Sequence, residues 1–228
     1  MSAKRVLDIV LSGLALVTVA PLLAVASVGI LLGGGPGPIF YRAQRIGLAG
    51  RPFTMLKLRT MRVAQASTSA ITARDDPRVF PFGALLRRAK IDELPQLFNI
   101  VRGDMAIVGP RPEDPRMVKQ FYAPLHHETF RVLPGLTCPG SIYAYTHGEA
   151  ELDAADPERY YAERLLPLKL ALDLVYVRRA SVAYDVALIA RTVSMLGTAL
   201  LGRRSFPLPP ELPEARLIML QDGARVTA

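Results

Sequence analysis

The sequence contains no tryptophan, a single cysteine and three histidines among 228 residues, and each shortage closes off a chemistry. With Cys138 alone, no internal disulfide forms, the chain fits a reducing compartment, and a small packing residue is the ordinary reading. His126, His127 and His147 do not stand at metal-ligand spacing with carboxylates, which leaves them surface or core roles. Aromatic residues make up only 7%, and no nucleic-acid-binding motif is recognisable, so there is little to stack on bases. The basic balance, with net charge +8 and pI near 9.9, therefore points to an anionic membrane or a phosphorylated ligand, and not to nucleic acid.

Charge is also absent from Ile9 to Tyr41. The apolar core of that run, Ile9 to Leu32, would reach about 36 Å as a straight helix, enough to cross a bilayer core of about 30 Å. A spanning helix is the default. Pro21 at the midpoint argues otherwise: it removes a backbone hydrogen bond and bends a helix at Ala20-Pro21, with Ser12, Thr18 and Ser27 near enough to satisfy freed carbonyls. Both flanks are basic, Lys4 and Arg5 before and Arg42, Arg45 and Arg51 after, which assigns both ends to the cytoplasm. A re-entrant membrane helix over 1–35 that enters and leaves on one side meets both constraints. A cleaved signal peptide fits less well, since an h-region runs to about 7–15 residues. Gly33-Gly34-Gly35-Pro36-Gly37-Pro38 then ends any helix and marks a boundary.

Hydrophobic residues, by contrast, reach 50% with a mean hydropathy of +0.24, high for a chain with 21% charged residues, so some apolar surface is expected to face lipid. The length suits one domain, residues 36–203, plus appendages. From Ile39 to Arg62 the pattern alternates like a β-hairpin around Leu48-Ala49-Gly50-Arg51. Lys57 and Arg59 share one face of it, as a solvated surface or as a rail facing phosphate. Residues 64–73 are small and polar and read as a loop.

A short helix, Gly83 to Ala89, carries Arg87 and Arg88 and leads through Lys90 to the adjacent carboxylates Asp92 and Glu93. Leu94, Leu97, Phe98 and Val101 then recur at helical spacing up to the stop at Gly103. Free backbone N–H groups and the positive dipole end at the start of that helix would keep Asp92 ionised and suit a bound phosphate. An Asp-Glu start is equally an ordinary helix cap. The surroundings tip the reading: between Arg42 and Arg111, thirteen Lys and Arg stand against five Asp and Glu, a surplus equal to the +8 of the whole chain. Such a field suits a polyanion held beside a nucleophilic or metal-binding acid. Met105 to Val108 reads as a short strand, followed by Gly109-Pro110-Arg111-Pro112. Prolines on both sides of Arg111 fix the backbone and lower the entropy lost when its guanidinium grips a phosphate, although a rigid turn with a salt-bridged arginine shows the same pattern.

Further on, Asp156-Pro157 caps a helix reaching about Leu166, Leu168 to Arg178 is another, and Ser181 opens Val182 to Leu201. Asp185 and Arg191 argue against a second crossing and for an amphipathic helix in the interface, with a core helix as the alternative. Residues 204–228, with Pro-Leu-Pro-Pro-Glu-Leu-Pro, read as a poorly ordered tail. The expected fold class is α/β in the α+β sense, mostly helical with a small β-sheet or hairpin, anchored by the re-entrant helix and interfacial helices.

The run from Lys90 to Pro112, with Asp92-Glu93, Gly103-Asp104 and Val108-Gly109-Pro110-Arg111-Pro112, resembles the signature of the bacterial sugar transferases, the monotopic phosphoglycosyl transferases. The likeness extends through Phe53 to Met61, the proline-broken N-terminal segment and Tyr176 to Thr192, while Leu133 to His147 departs from the usual pattern. The resemblance implies an enzyme that moves a sugar 1-phosphate from a UDP-sugar to polyprenyl phosphate, releases UMP and starts a bacterial glycan. Its place would be the lipid bilayer of the inner membrane, at the cytoplasmic face. The resemblance further implies Asp92 as the nucleophile that forms an aspartyl phosphosugar, Glu93 as the carboxylate associated with Mg²⁺, and Arg111 as the arginine of the Pro-Arg-Pro element. Lys57, Arg59, Arg87, Arg88 and Lys90 complete the expected phosphate-binding set, and a homo-oligomer is left open. The alternatives are a non-enzymatic basic membrane protein that recruits anionic lipids or partners, and an enzyme with another phosphorylated donor. UMP release separates them.

Overall fold

The computed structural model describes residues 2–63, 76–148, 157–203 and 205–221. The loop read at 64–73 and the cap at Asp156 lie outside these residues. Helix α1, Ala3–Gly33, starts where the Ser2 hydroxyl accepts the Arg5 N–H at 3.3 Å. It runs as one element through Pro21, where the sequence pattern places a kink. Pro21 offers no N–H to the Val17 carbonyl. The expected helpers do not reach that carbonyl: Thr18 donates to Leu14 O, Ser27 donates to Leu23 O, and the Ser12 hydroxyl is buried without a partner.

α1 lies along the domain for its whole length. Lys4 and Arg5 bond to it at one end, Ala15, Leu16 and Val19 pack on it midway, and Leu23, Ala26 and Ile30 join Leu58, Phe80 and Leu86 at the other end. Gly29 permits this approach, because a Cβ there would fall inside the Phe82 ring. The opposite face exposes Val10, Leu14, Val17, Val25, Val28, Leu31 and Leu32.

The hairpin is present as β1, Phe40–Ile46, antiparallel to β2, Pro52–Leu58, with Ala43 opposite Met55. Those two residues pack on Leu97, Ile100 and Met105. After α2, Pro81–Arg88, a 3₁₀ turn over Ile91–Glu93 leads into α3, Gln96–Arg102, which Gly103 ends at φ 109. The register of α3 differs from the apolar stripe in the sequence. Asp92, Gln96, Leu97, Asn99 and Ile100 are buried, whereas Phe98 and Val101 point outward. Asn99 draws the helix round: its side chain accepts from Leu56 N at 2.9 Å and donates to Thr54 O at 2.8 Å, satisfying the β2 backbone.

Strand β3, Ala106–Val108, pairs in parallel with β4, Gly135–Thr137, and at its end Gly109 and Gly135 let the two backbones meet without a Cβ between them. Between them lie α4, Pro115–Phe121, and a 3₁₀ helix over Pro124–Arg131. Helices α5, Pro139–Tyr143, and α6, Pro157–Tyr160, lead to α7, Leu166–Arg179, whose residues from Leu170 to Tyr176 are all buried. Helix α8, Val182–Leu200, turns its charges toward the domain: Asp185 is buried against Lys4 at 2.6 Å, and Arg191 pairs with Glu211 at 3.0 Å. Its outer face, with Val182, Val186, Val193 and Leu200, is apolar. The tail reading is corrected for its described part. Helix α9, Leu212–Gln221, buries Ala215, Ile218 and Met219 against Ala171, Leu172, Leu174 and Val175 of α7, because the proline-rich segment before it delivers an apolar stripe to an apolar face. The fold is the mostly helical α/β arrangement with small two-stranded sheets that the sequence predicts.

Candidate active site at the turn before α3

Lys90 closes α2 in a left-handed conformation, φ 56, which few residues other than glycine adopt and which turns the chain sharply into Ile91–Glu93. The turn separates the fates of two neighbours. Glu93 accepts Arg111 Nη1 at 3.2 Å on Oε2, and both Arg111 Nη2 and Lys57 Nζ, the latter at 3.1 Å, on Oε1. Burial alone would push the Glu93 carboxyl up, but Arg111, then Lys57 and Lys90, hold it well below the usual glutamate range. Lys57 pays the converse: burial lowers it below the ordinary lysine value despite Glu93 beside it.

Asp92 is 7% exposed, and its Oδ1 is sealed from solvent without a hydrogen-bond partner among the described residues. Burial first, then the negative Glu93, push its carboxyl up against the pull of Lys57, Arg87 and Lys90. The expectation that a helix start favours the ionised form of Asp92 is overturned in direction, since its carboxyl is raised and not lowered. α3 begins only at Gln96, behind Pro95, so the free N–H groups of a helix end are not at Asp92.

Of the expected phosphate-binding residues, Lys57 and Arg111 converge on Glu93, while Arg87 and Lys90 act electrostatically on Asp92. Lys90 also lies 4.9 Å over the Tyr145 ring. Arg88 is exposed at the end of α2 and bonds to neither carboxylate among the described residues. Arg59 is not a phosphate rail: its guanidinium donates to the carbonyls of Gly34, Gly35, Pro36, Gly37 and Pro38, at 2.6 Å for the last. It is buried and holds the loop after α1. Lys57 and Arg59 share a strand face and still part company, because Arg59 stands just past the end of β2.

A bacterial sugar transferase family model matches residues 1–199. The chain belongs to that family. UDP-glucose:undecaprenyl-phosphate glucose-1-phosphate transferase of Caulobacter vibrioides is 37% identical over 198 residues, covering 86% of this chain and 70% of that protein. The protein of the same description from Xanthomonas campestris is 36% identical over 200 residues, 86% of this chain but 39% of its own length. UDP-N-acetylgalactosamine-undecaprenyl-phosphate N-acetylgalactosaminephosphotransferase of Aeromonas hydrophila is 33% identical over 198 residues, 86% of this chain and 44% of its own. This sugar transferase therefore spans less than half of the last two relatives.

Among the described residues, no three His, Cys, Asp or Glu side chains gather as a ready metal cage. Magnesium, however, is commonly bound through one or two carboxylates together with substrate phosphates and waters. A carboxylate offers about four lone-pair sites. Glu93 uses three, which leaves one that could be given to an ion also held by substrate phosphates.

The structure adds residues that the sequence reading of this transferase missed. Glu113, just after Pro112, accepts from Lys169 at 2.7 Å and from Tyr161, all three buried. Asp173, one turn after Lys169 on α7, accepts from Gly140 N at 3.2 Å. Two charges four residues apart inside the apolar stretch from Leu165 to Val175 were the available signal. Strand β3 is held by side chains: Asp8 accepts from Ile107 N at 3.0 Å, while Lys4 and Tyr176 donate to Val108 O at 3.0 and 3.1 Å. The histidines are structural. His126 accepts from Ala123 N, His147 stacks on Tyr143, and exposed His127 meets Phe130 edge-on. Burial pushes the Cys138 thiol well up, as for a packing residue.

Proposed function

We propose that this chain transfers a sugar 1-phosphate from a UDP-sugar to polyprenyl phosphate, working on the cytoplasmic face of the bacterial inner membrane. The observation that carries the reading is Asp92, a buried carboxylate with an unpartnered oxygen set among the three cations Lys57, Arg87 and Lys90. An oxygen of Asp92 attacks the β-phosphorus of the donor, an O–P bond forms, and the bond to the bridging oxygen breaks, so that UMP leaves with that oxygen. The phosphate of the acceptor then attacks the same phosphorus, yielding a polyprenyl diphosphosugar and freeing Asp92. Splitting the transfer in two is what a carboxylate nucleophile offers. Lys57, Arg87, Lys90 and Arg111 hold the diphosphate, and Arg111 is shared between it and Glu93. Glu93 would hold Mg²⁺ with phosphate oxygens, and such an ion supplies charge neutralisation at the diphosphate.

Membrane placement is supported by two helices long and apolar enough to cross a membrane among the described residues, α1 and α8. Each gives its charged residues to the domain and keeps an apolar outer face, which suits monotopic embedding beside the site. Because both ends of α1 pack on the same domain as Asp92, α1 is read as entering and leaving from one side. Relatives named for UDP-glucose and for UDP-N-acetylgalactosamine support the donor class.

The test is UMP release from UDP-glucose, UDP-galactose, UDP-N-acetylglucosamine and UDP-N-acetylgalactosamine, with undecaprenyl phosphate and Mg²⁺. UMP from one of them, lost in EDTA, is the expected result. No UMP from any, together with retention on anionic vesicles, would favour the basic binding protein. For topology, a cysteine at Ser2 in a Cys138→Ser background should react with an impermeant maleimide only after cell lysis. Labelling in intact cells would make α1 a spanning helix.

A further inference from the structure

Asp92, Gln96 and Asn99 stand at i, i+4 and i+7 on the inward face of the segment from the 3₁₀ turn to the end of α3, and all three are buried. The role of Asn99 is visible in its bonds to Leu56, Thr54 and Asp104. Gln96 has no such role. It is 0% exposed, and among the described residues neither its Oε1 nor its Nε2 has a partner. A buried amide left unpaired weakens a fold, and a methionine would fill the same space without that penalty. Asp92 Oδ1, four residues earlier, is the other sealed and unpartnered atom of this segment. Leu94 and Pro95 between them keep helical dihedrals, so Asp92 and Gln96 leave one side of a continuous helical segment, a spacing at which a glutamine and an aspartate can hydrogen-bond.

We propose that Gln96 is a positioning residue for Asp92: with the UDP-sugar bound, Gln96 Nε2 donates to Asp92 Oδ1 and turns Oδ2 in line with the β-phosphorus. This rests on Asp92 being the nucleophile. The amide holds one oxygen by a hydrogen bond, the other oxygen supplies the electron pair of the new O–P bond, and Gln96 neither gains nor loses a proton. A neutral donor suits the task. A lysine at this position would pair with the carboxylate and blunt its attack, whereas a glutamate would repel it. The two groups sit unpaired among the described residues, an unsatisfied amide kept beside the carboxylate that it would orient.

The experiment compares wild type with Gln96→Met as the full chain in lipid nanodiscs, using the UDP-hexose that the wild type turns over. Four quantities are read: melting temperature, the rate at which the enzyme gains the mass of a sugar phosphate in the absence of acceptor, the donor KM of that step, and the pH dependence of the rate. Loss of one hydrogen bond to a charged group should slow adduct formation by about 10- to 100-fold, with the donor KM within about twofold. The melting temperature should equal or exceed that of wild type. The acidic limb of the profile should move to higher pH, because the ionised form of Asp92 loses a donor. Adduct formation within about twofold of wild type would overturn the proposal, and so would a fall in melting temperature of more than about 5 °C, which would assign the amide to folding. Asp92→Asn separates the two claims. If that variant still releases UMP at the wild-type rate, the nucleophile reading itself fails; if it is inert while Gln96→Met is unimpaired, only the Gln96 inference falls.

Discussion

Arg111 and Glu113 are two residues apart and reach into different buried clusters made from the same kinds of side chain. Around Glu113, one carboxylate meets Lys169 and Tyr161, and Lys169 is held above the ordinary lysine value by that contact in spite of burial. Around Glu93, one carboxylate is divided between Arg111 and Lys57, and Lys57 is left below the ordinary value. The first cluster is closed in charge. The second holds more cations than one glutamate can satisfy, with Asp92 unpaired beside it, and a further anion would complete it. A closed cluster fixes the end of the Pro-Arg-Pro turn, and an open one at the start of that turn can bind a diphosphate. The same Glu–Lys contact is thus closed in one cluster and left open in the other, and under the proposed function the open one serves the chemistry.

The comparison is broken most directly at its open end. Asp92→Asn should cut UMP release by about a thousandfold or more, roughly 4 kcal/mol of barrier, without lowering the melting temperature, since a neutral amide replaces a carboxyl that burial already disfavours as an ion. Release within tenfold of wild type would return Asp92 to a turn residue. At the closed end, Glu113→Gln leaves Lys169 buried without its counter-charge and should cost about 3–5 kcal/mol of stability in denaturant unfolding. Glu93→Gln is the matched control: it should cost less stability, because Arg111 and Lys57 are partly exposed, yet lower turnover severely. Equal losses of stability in the two variants would erase the distinction between the clusters.

Asp173 sharpens the comparison by pH. Burial pushes its carboxyl up to about 6, against the opposing charge of Lys169. A carboxyl raised on folding lends stability that is fully present below its unfolded value of 3.8 and is lost as pH rises through about 6. Asp173→Asn should therefore gain on wild type between pH 4 and 6 by at most about 3 kcal/mol, and no gain across that window would show that Lys169 keeps Asp173 ionised. The smallest effect belongs to the exposed pair Arg159 and Glu163, at 71% and 57% exposure, where Arg159→Ala should change stability by no more than about 0.5 kcal/mol.

Much of this was legible in the sequence and some was not, for local reasons. The hairpin showed in its alternation, β3 in its apolar run, and α8 in its length. The register of α3 did not, because a stripe of Leu94, Leu97, Phe98 and Val101 looks like a core face until Asn99 is seen to satisfy the β2 backbone and turn Phe98 outward. Arg59 read as a phosphate ligand by its spacing from Lys57, and only the carbonyls of residues 34–38 reveal its work. α9 was hidden by a run of prolines that continues from the segment before it into its first turn at Pro213, a position that a helix tolerates.

By itself the sequence determined the acid pair, the basic field from Arg42 to Arg111, the long uncharged run and the family, because those are properties of residue type and order. Tertiary structure decided which charges are matched. Whether Lys57 faces Glu93, Lys169 faces Glu113, Asp185 faces Lys4 or Asp92 keeps an oxygen without a partner among the described residues depends on contacts between residues far apart in the chain, and the energy of a buried charge is set by those contacts and not by its neighbours in sequence.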